Sequence, residues 1–287
     1  MKNNTVFNSR KIKFDSENKK INIIFAAAVI LILVISCVAI LAKNDFNLKA
    51  AVGGDIEVSS ETTEEASTAN LSKSDKYYLL WCTDQENKEL KFLWIARVTT
   101  PKVQLKVYAP STDDMVEYEG QYYTIGNLYS IYGEKIFTET LENYYDINFS
   151  AYIGSSPEMF KQMINYFGGI TVDLEEQIEY KGNFNLILMK GSNTLKGELA
   201  YKYLIYTGFG TNTELSDRSE AFILLIEKVF TQNYSQKADT IFSRIVNNMT
   251  TNITVMQYSE NTDLLNYLFD NGFSSAKAYD NITDLKK

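Results

Sequence analysis

Hydrophobic residues follow three different patterns along this chain of 287 residues. Near the amino end, an apolar run of 22 residues extends from Ile21 to Ala42 without a charged side chain. Residues 43–75 are polar and rich in Ser, Thr and Glu, and they show no hydrophobic period. From Lys76 onward, β-branched and aromatic runs alternate with segments of helical period. The pattern therefore predicts an apolar span, a flexible stalk and a folded α/β domain.

The apolar run is long enough to cross a membrane. As a helix with ~1.5 Å rise per residue it would measure about 33 Å, against a hydrocarbon core of roughly 30 Å. The residues before it contain six basic side chains and two acidic ones, which places that leader on the cytoplasmic side. A cleaved signal peptide is the alternative, although its apolar core would have only about 7–15 residues. The predicted segments are a cytoplasmic leader (1–20), a single-pass type II signal anchor in the cell membrane (21–42), a stalk (43–75) and a domain outside the cell (76–287).

Within the domain, the periodicity predicts strands and helices in mixed order. The predicted strands are 76–82, 90–98, 103–109, 148–153, 170–174 and 186–191. The predicted helices are 134–145, 157–167, 195–206, 217–234, 239–249 and 259–270. In the second helix, Phe160, Ile164 and Phe167 form an apolar stripe that we expect to be buried. This order predicts a single α/β/α sandwich with a mixed central sheet.

Composition narrows the possible chemistry. The chain has no histidine, which excludes Ser-His-Asp and Cys-His catalysis as well as His-ligated metals. Its two cysteines are Cys37, inside the predicted span, and Cys82, inside a predicted strand, so we expect an inert thiol at Cys82 and no disulfide. The formal net charge of −8 and the pI of about 4.9 argue against nucleic-acid binding. The groups that remain available for catalysis or ligand binding are carboxylates, arginines, lysines, hydroxyls and a hard cation.

Five motifs occur in register between Lys76 and Glu227, and together they resemble the LytR-CpsA-Psr family. They are Cys82-Thr83-Asp84, the segment Tyr129 to Gly133, the segment Glu139 to Ile153, the run Phe167-Gly168-Gly169-Ile170-Thr171-Val172-Asp173, and Gly191 with Leu195-Lys196-Gly197, Ala200 and Tyr203. Members of that family are membrane-anchored enzymes of Gram-positive cell envelopes. The layout of anchor, stalk and domain is also typical of them.

The resemblance implies a reaction and its participants. Active members transfer an anionic glycopolymer from undecaprenyl diphosphate to peptidoglycan, with arginines facing the diphosphate and Mg²⁺ held by carboxylates. The implied partners are the cytoplasmic membrane and a polyprenyl-phosphate lipid or cell-wall glycan, and Mg²⁺ is the implied cofactor if the chain is active.

This sequence departs from the family pattern at the charged positions. Lys91 stands where the family has a metal-binding aspartate. The family's arginine positions are occupied by Ser111, Ile205, Thr207 and Leu215, and Arg218 alone is retained. We therefore expect a catalytically degenerate member that binds a polyprenyl-linked glycan or an envelope partner. An active phosphotransferase with a substitute site and a ligand-free structural surface protein remain as alternatives.

Five residues are the candidates for the site, and each also has a structural interpretation. The candidate catalytic residues are Asp84, which could be a turn carboxylate, and Arg218, which could belong to a helix capping box beginning at Asp217. The candidate ligand-binding residues are Lys91, Lys106 and Asp113, which could be two exposed strand lysines and an exposed turn carboxylate.

Overall fold

The computed structural model describes residues 71–84, 86, 89–206 and 212–287. The strands are β1 (Ser74–Thr83), β2 (Leu90–Thr100), β3 (Gln104–Tyr108), β4 (Met115–Tyr118), β5 (Gln121–Thr124), β6 (Phe149–Ser155), β7 (Ile170–Leu174), β8 (Ile178–Lys181), β9 (Asn185–Leu188), β10 (Gly191–Leu195), β11 (Thr250–Thr251) and β12 (Ser275–Tyr279). The helices are α1 (Ile125–Tyr145), α2 (Pro157–Tyr166), α3 (Gly197–Tyr206), α4 (Asn212–Val229), α5 (Gln232–Ser235), α6 (Ala238–Asn248), α7 (Val255–Glu260), α8 (Thr262–Asn271) and α9 (Ile282–Lys286).

The predicted leader, signal anchor and most of the predicted stalk lie outside the described residues. Among the residues that are described, no helix combines the length and the apolar character needed to cross a membrane. The predictions for residues 1–70 therefore remain predictions from the sequence.

A mixed sheet with strand order β11-β6-β1-β2-β3-β12 forms the centre of the domain. β1 pairs antiparallel with β2 and parallel with β6, whereas β3 pairs antiparallel with β2 and parallel with β12. Parallel neighbours need long crossover connections, and the helices provide them. The mixed α/β domain with a mixed central sheet, predicted from the sequence, is confirmed.

Helices cover both faces of this sheet because successive side chains of a strand point to opposite faces. Leu79 and Trp81 of β1 pack in an apolar cluster together with residues of α1 and α9. Cys82 belongs to a second cluster, which contains residues of α2, α3 and α4. The candidate site lies at the end of β1, where this second cluster reaches the surface.

Helix α2 forms as its sequence predicts. The hydroxyl of Ser156 accepts a hydrogen bond from the backbone N–H of Met159 at 3.3 Å, and Pro157 occupies the first turn, where no backbone donor is needed. Phe160, Ile164 and Phe167 are only 7%, 1% and 3% exposed, which confirms the predicted buried stripe.

The long helix differs from its prediction at the amino end. It begins at Asn212 and not at Asp217, so the interpretation of Asp217 as its N-cap is wrong. Arg218 consequently lies more than one turn inside α4, where neither a capping role nor the unfavourable position for a cation in the first turn applies. The polar residues before Asp217 permit helix, and packing of the following apolar residues extends it backwards.

Several further elements differ from the predictions. A short hairpin, β4–β5, precedes α1, and α1 begins at Ile125, nine residues before the predicted start. Gly133 interrupts the regular backbone of α1 with φ 74°, a conformation that glycine adopts without a steric penalty. The helical segment predicted for 259–270 consists of α7 and α8, which meet at Asn261.

Candidate functional site

Asp84 follows β1 directly and orders the turn that leads to β2. Its backbone N–H donates to the carbonyl oxygen of Glu89 at 2.8 Å. Its Oδ1 accepts hydrogen bonds from the backbone N–H groups of Glu86 at 3.1 Å and Glu89 at 3.4 Å. The side chain is thus engaged by the turn, as the structural interpretation of Asp84 expects.

Arg218 is buried within the core and is 2% exposed. Its Nε and Nη2 donate to the carbonyl oxygen of Leu204 at 3.1 and 3.0 Å, and its guanidinium carbon lies 5.8 Å from the ring centroid of Phe92. Its own carbonyl oxygen accepts a hydrogen bond from Trp94 Nε1 at 3.0 Å. Burial lowers the pKa of Arg218 to about 10, so the side chain stays charged at neutral pH.

Tyr201 connects the surroundings of these two candidates. Its hydroxyl donates to the carbonyl oxygen of Thr83 at 3.3 Å, next to Asp84 in the chain. Its ring centroid lies 6.0 Å from that of Phe92, which Arg218 also contacts. Burial raises the pKa of Tyr201, and nearby acidic groups that include Asp84 raise it further. The structure therefore brings both candidate catalytic residues to the same end of the sheet.

A lysine that the sequence analysis missed also lies at this end. Lys161 Nζ is 2.6 Å from Glu198 Oε2 and 5.0 Å from the ring centroid of Tyr201. The hydrogen bond from Lys161 lowers the pKa of Glu198 despite partial burial. Because α2 begins immediately after β6, which runs parallel to β1, a residue in its first turns must lie near the end of β1. The predicted order of strand and helix could therefore have indicated that Lys161 lies near the site.

Of the three remaining candidates, Lys91 lies near Asp84, whereas Lys106 and Asp113 lie elsewhere. Lys91 forms an ion pair with Glu89, Nζ to Oε2 at 2.8 Å, beside the turn that Asp84 orders. Lys106 lies on β3, and its ammonium group is 5.5 Å from the ring centroid of Tyr279. Asp113 is exposed in the turn after β3, where its N–H donates to Ser111 Oγ at 3.2 Å. Lys106 shares its face of the sheet with α9, away from Arg218.

The described residues do not fit a carboxylate-held Mg²⁺ of the kind that the family resemblance implies. Within that part of the chain, no group of three or more Asp, Glu or Cys side chains is placed to hold a metal ion. The Oδ1 of Asp84 already accepts two backbone hydrogen bonds, and the neighbouring Lys91 brings a positive charge.

Cys82 behaves as predicted for an inert thiol. It is fully buried, and burial raises its pKa to about 12. Its Sγ donates to the carbonyl oxygen of Thr83 at 3.5 Å. Because the thiolate is the reactive form, this side chain is not a nucleophile at neutral pH.

Comparison with known proteins assigns the family. The model of the LytR_cpsA_psr family matches residues 53–276. The polyisoprenyl-teichoic acid–peptidoglycan teichoic acid transferase TagV of Bacillus subtilis (strain 168) is 30% identical over 185 residues, which are 61% of this chain and 44% of that protein. The chain thus spans less than half the length of this curated relative.

Solved structures show the same fold. The crystal structure of B. subtilis TagV is similar with a TM-score of 0.57 and 21% identity, over 72% of this chain and 85% of that one. A Streptococcus agalactiae protein has a TM-score of 0.60 and 17% identity, over 71% of this chain and 76% of that one. The structure of TagT bound to LI-WTA has a TM-score of 0.53 and 15% identity, over 76% of this chain and 81% of that one. The family match over most of the chain, on this shared fold, establishes that the protein belongs to the LytR-CpsA-Psr family.

Proposed function

We propose that this protein is a membrane-anchored, extracytoplasmic member of its family that binds a polyprenyl-linked glycopolymer without transferring it. The observation that supports this proposal most directly is the set of contacts made by Arg218, the single retained arginine of the family pattern. Two of its N–H groups donate to Leu204, and its guanidinium packs on Phe92, so its contacts are those of a core residue.

The electrostatics of transfer support the same conclusion. A departing diphosphate develops negative charge, and each positioned guanidinium or metal ion lowers the barrier by a few kcal/mol, where ~1.4 kcal/mol is tenfold in rate. Four of the arginine positions hold Ser111, Ile205, Thr207 and Leu215. Of the lysines near Asp84, Lys91 and Lys161 are neutralised by Glu89 and Glu198. Among the described residues, such a site retains little accessible positive charge with which to stabilise the transition state.

A binding role remains compatible with this arrangement. TagT, a structural relative, is bound to LI-WTA in one of the solved structures, and the curated relative acts on polyisoprenyl-teichoic acid. Binding needs less charge than catalysis, because only interactions that strengthen in the transition state accelerate a reaction. Lys161, with its side chain 16% exposed, could contact a phosphate at this end of the sheet only by exchanging its ion pair with Glu198.

An active transferase is the second candidate function. The curated relative is a teichoic acid transferase, and Asp84 occupies the end of the strand at which the family places an active-site aspartate. In this candidate, Asp84 would act together with Lys161 and Arg218 as a substitute site.

A turnover and binding assay tests the proposal. The full chain is purified in nanodiscs and incubated with a polyprenyl diphosphate-linked glycan, Mg²⁺ and peptidoglycan. We expect saturable lipid binding and no release of the diphosphate. Turnover that is abolished by Asp84→Asn, with Asp113→Asn as the exposed aspartate control, would establish the second candidate. Absence of both binding and turnover would leave a structural surface protein.

The predicted topology supports the localisation outside the cell and is tested separately. Protease added to intact protoplasts should remove residues 44–287, since the basic leader precedes the predicted anchor. Complete protection of the domain from the protease would refute the type II orientation.

A further inference from the structure

Two cationic side chains converge on the ring of Tyr166. The ammonium group of Lys237 lies 5.8 Å from the ring centroid, and the guanidinium carbon of Arg244 lies 4.9 Å from it. Lys237 is also 5.3 Å from the ring centroid of Tyr234, which is 6.0 Å from that of Tyr166. Both cations are exposed, and neither forms an ion pair with a carboxylate in the described part of the chain. These four residues are called the Tyr166 surface below.

The geometry of α6 separates these cations from the neighbouring acid. Lys237 immediately precedes α6 and Arg244 lies about two turns further along, and both contact the ring of Tyr166. The buried residue Ile241 lies between them. Asp239 projects from the opposite side, where its Oδ1 accepts a hydrogen bond from the Tyr258 hydroxyl at 2.8 Å. The Tyr166 surface therefore keeps an uncompensated positive charge.

Helix α6 is also linked to the first strand through α7. Phe242 of α6 stacks on Tyr258 of α7, with ring centroids 4.2 Å apart. Asn261 follows α7, and its Oδ1 accepts a hydrogen bond from the ammonium group of Lys76 at 2.9 Å. Lys76 is the third residue of β1, so these contacts link α6 to the start of the first strand.

A purely structural role for these cations would be to stabilise the carboxyl end of α2, whose carbonyl groups carry partial negative charge. Other side chains already stabilise this end of α2. The carbonyl oxygen of Gly169 accepts from Lys228 Nζ at 2.8 Å, and that of Tyr166 accepts from the Tyr234 hydroxyl at 3.4 Å. Lys237 and Arg244 contact ring faces and leave their donors directed to solvent.

We propose that the Tyr166 surface docks onto the anionic phosphate headgroups of the membrane to which the chain is tethered. The proposal rests on the membrane anchor of the proposed function. Tyrosine beside lysine and arginine is the composition favoured at membrane–water interfaces. Each basic residue close to an anionic leaflet strengthens binding about fivefold. The chain as a whole carries a net charge of −8, so this basic surface selects one orientation of the domain.

The tether makes weak docking effective. The predicted anchor would make docking an intramolecular event with a high effective concentration.

Hydrogen exchange of the full chain in nanodiscs tests this docking. We expect the amides of residues 232–248 to exchange several-fold more slowly in phosphatidylglycerol discs than in phosphatidylcholine discs, with the difference lost at high salt. The double variant Lys237→Gln/Arg244→Gln should remove the difference. The charge-matched variant Lys190→Gln/Lys277→Gln, which changes two exposed lysines elsewhere, should retain it.

Three results would overturn the proposal. Equal exchange in both lipids would do so, and so would an equal loss of protection in the charge-matched variant. Protection by soluble polyphosphate in phosphatidylcholine discs, without protection by phosphatidylglycerol, would assign the surface to an anionic polymer. If the chain failed to enter the discs, the anchor would be refuted, and docking would be judged by sedimentation with phosphatidylglycerol vesicles, where absence of binding overturns it.

Discussion

Arg218 donates two hydrogen bonds to one acceptor, the carbonyl oxygen of Leu204, at 3.1 and 3.0 Å. Leu204 belongs to the last turn of α3, so these bonds join α4 to α3 behind the candidate site. The single arginine retained from the family pattern is therefore also a structural element of the core. Any loss of function in an Arg218 variant must be compared with its loss of stability.

The first prediction concerns this contact. Arg218→Ala removes both hydrogen bonds and leaves a cavity, so the free energy of unfolding should fall by about 3 kcal/mol. Arg218→Met should cost less, because it fills most of the volume and relieves the desolvation of a buried charge. Urea titration of the three proteins measures the difference, with Arg244→Ala as the exposed arginine control. Equal stability of Arg218→Ala and the wild type would contradict the structural role.

The second prediction concerns the core beneath the site. The ring of Phe160 lies 5.3 Å from that of Phe92 and 6.4 Å from that of Trp94. Phe160→Ala should lower the free energy of unfolding by roughly 3–5 kcal/mol, since rings on several elements prevent collapse of the cavity. The control is Gln162→Ala, which is exposed on the same helix. A loss under ~1 kcal/mol in a denaturant titration would contradict this packing.

The third prediction concerns a close approach between two paired strands. Gly154 of β6 is the register partner of Trp81 in β1, and a methyl group on Gly154 would overlap the indole ring. Gly154→Ala should therefore destabilise the domain by about 1–3 kcal/mol through overpacking. Adding Trp81→Leu should recover part of that loss, because the two effects share one space. Strictly additive losses in thermal unfolding would show that the clash is absent.

The fourth prediction concerns acid stability. Asp75 accepts two hydrogen bonds from Arg97, at 2.8 and 2.7 Å, and these lower the pKa of the carboxyl group. A lowered folded pKa stabilises the domain above the unfolded value of about 3.9, and that contribution disappears as the pH falls through the folded pKa. Because the Asp75 side chain is 48% exposed, the contribution should be at most about 1 kcal/mol.

The measurement is the urea midpoint as a function of pH for the wild type and Asp75→Asn. The two proteins should differ at pH 7 and converge as the pH falls through the lowered folded pKa of Asp75. Asp113→Asn, which changes an exposed turn carboxylate, serves as the control and should follow the wild type. A difference that persists unchanged into strong acid would exclude ionisation of Asp75 as its cause.

The large elements of the fold could be predicted because their sequence patterns are strong. β1, β2 and β3 have alternating or continuous apolar residues, and α2 has both a cap and a buried stripe. The β4–β5 hairpin escaped prediction because each of its strands has only four residues. Its two-residue turn, Glu119-Gly120, places both residues at positive φ, yet Glu-Gly is a weaker signal than Asn-Gly.

The candidate site could be predicted only in part. Sequence motifs identified Asp84 and Arg218, which the structure places at one end of the sheet. The burial of Arg218 depends on how α3 packs against α4, and no local pattern encodes that contact. Lys161 was missed because its role depends on a neighbour in another helix, Glu198.

The position of β1 in the sheet has a consequence for how the protein is made. β1 pairs with β6, whose partner residues lie about 70 positions later, and β3 pairs with β12 near the carboxyl end. During synthesis, the β1–β3 meander is complete long before either of its outer partners exists. Both of its edges then expose unpaired backbone groups, which favours association with other chains. A protein truncated before Ser275 should keep the β3 edge open permanently and should aggregate for that reason.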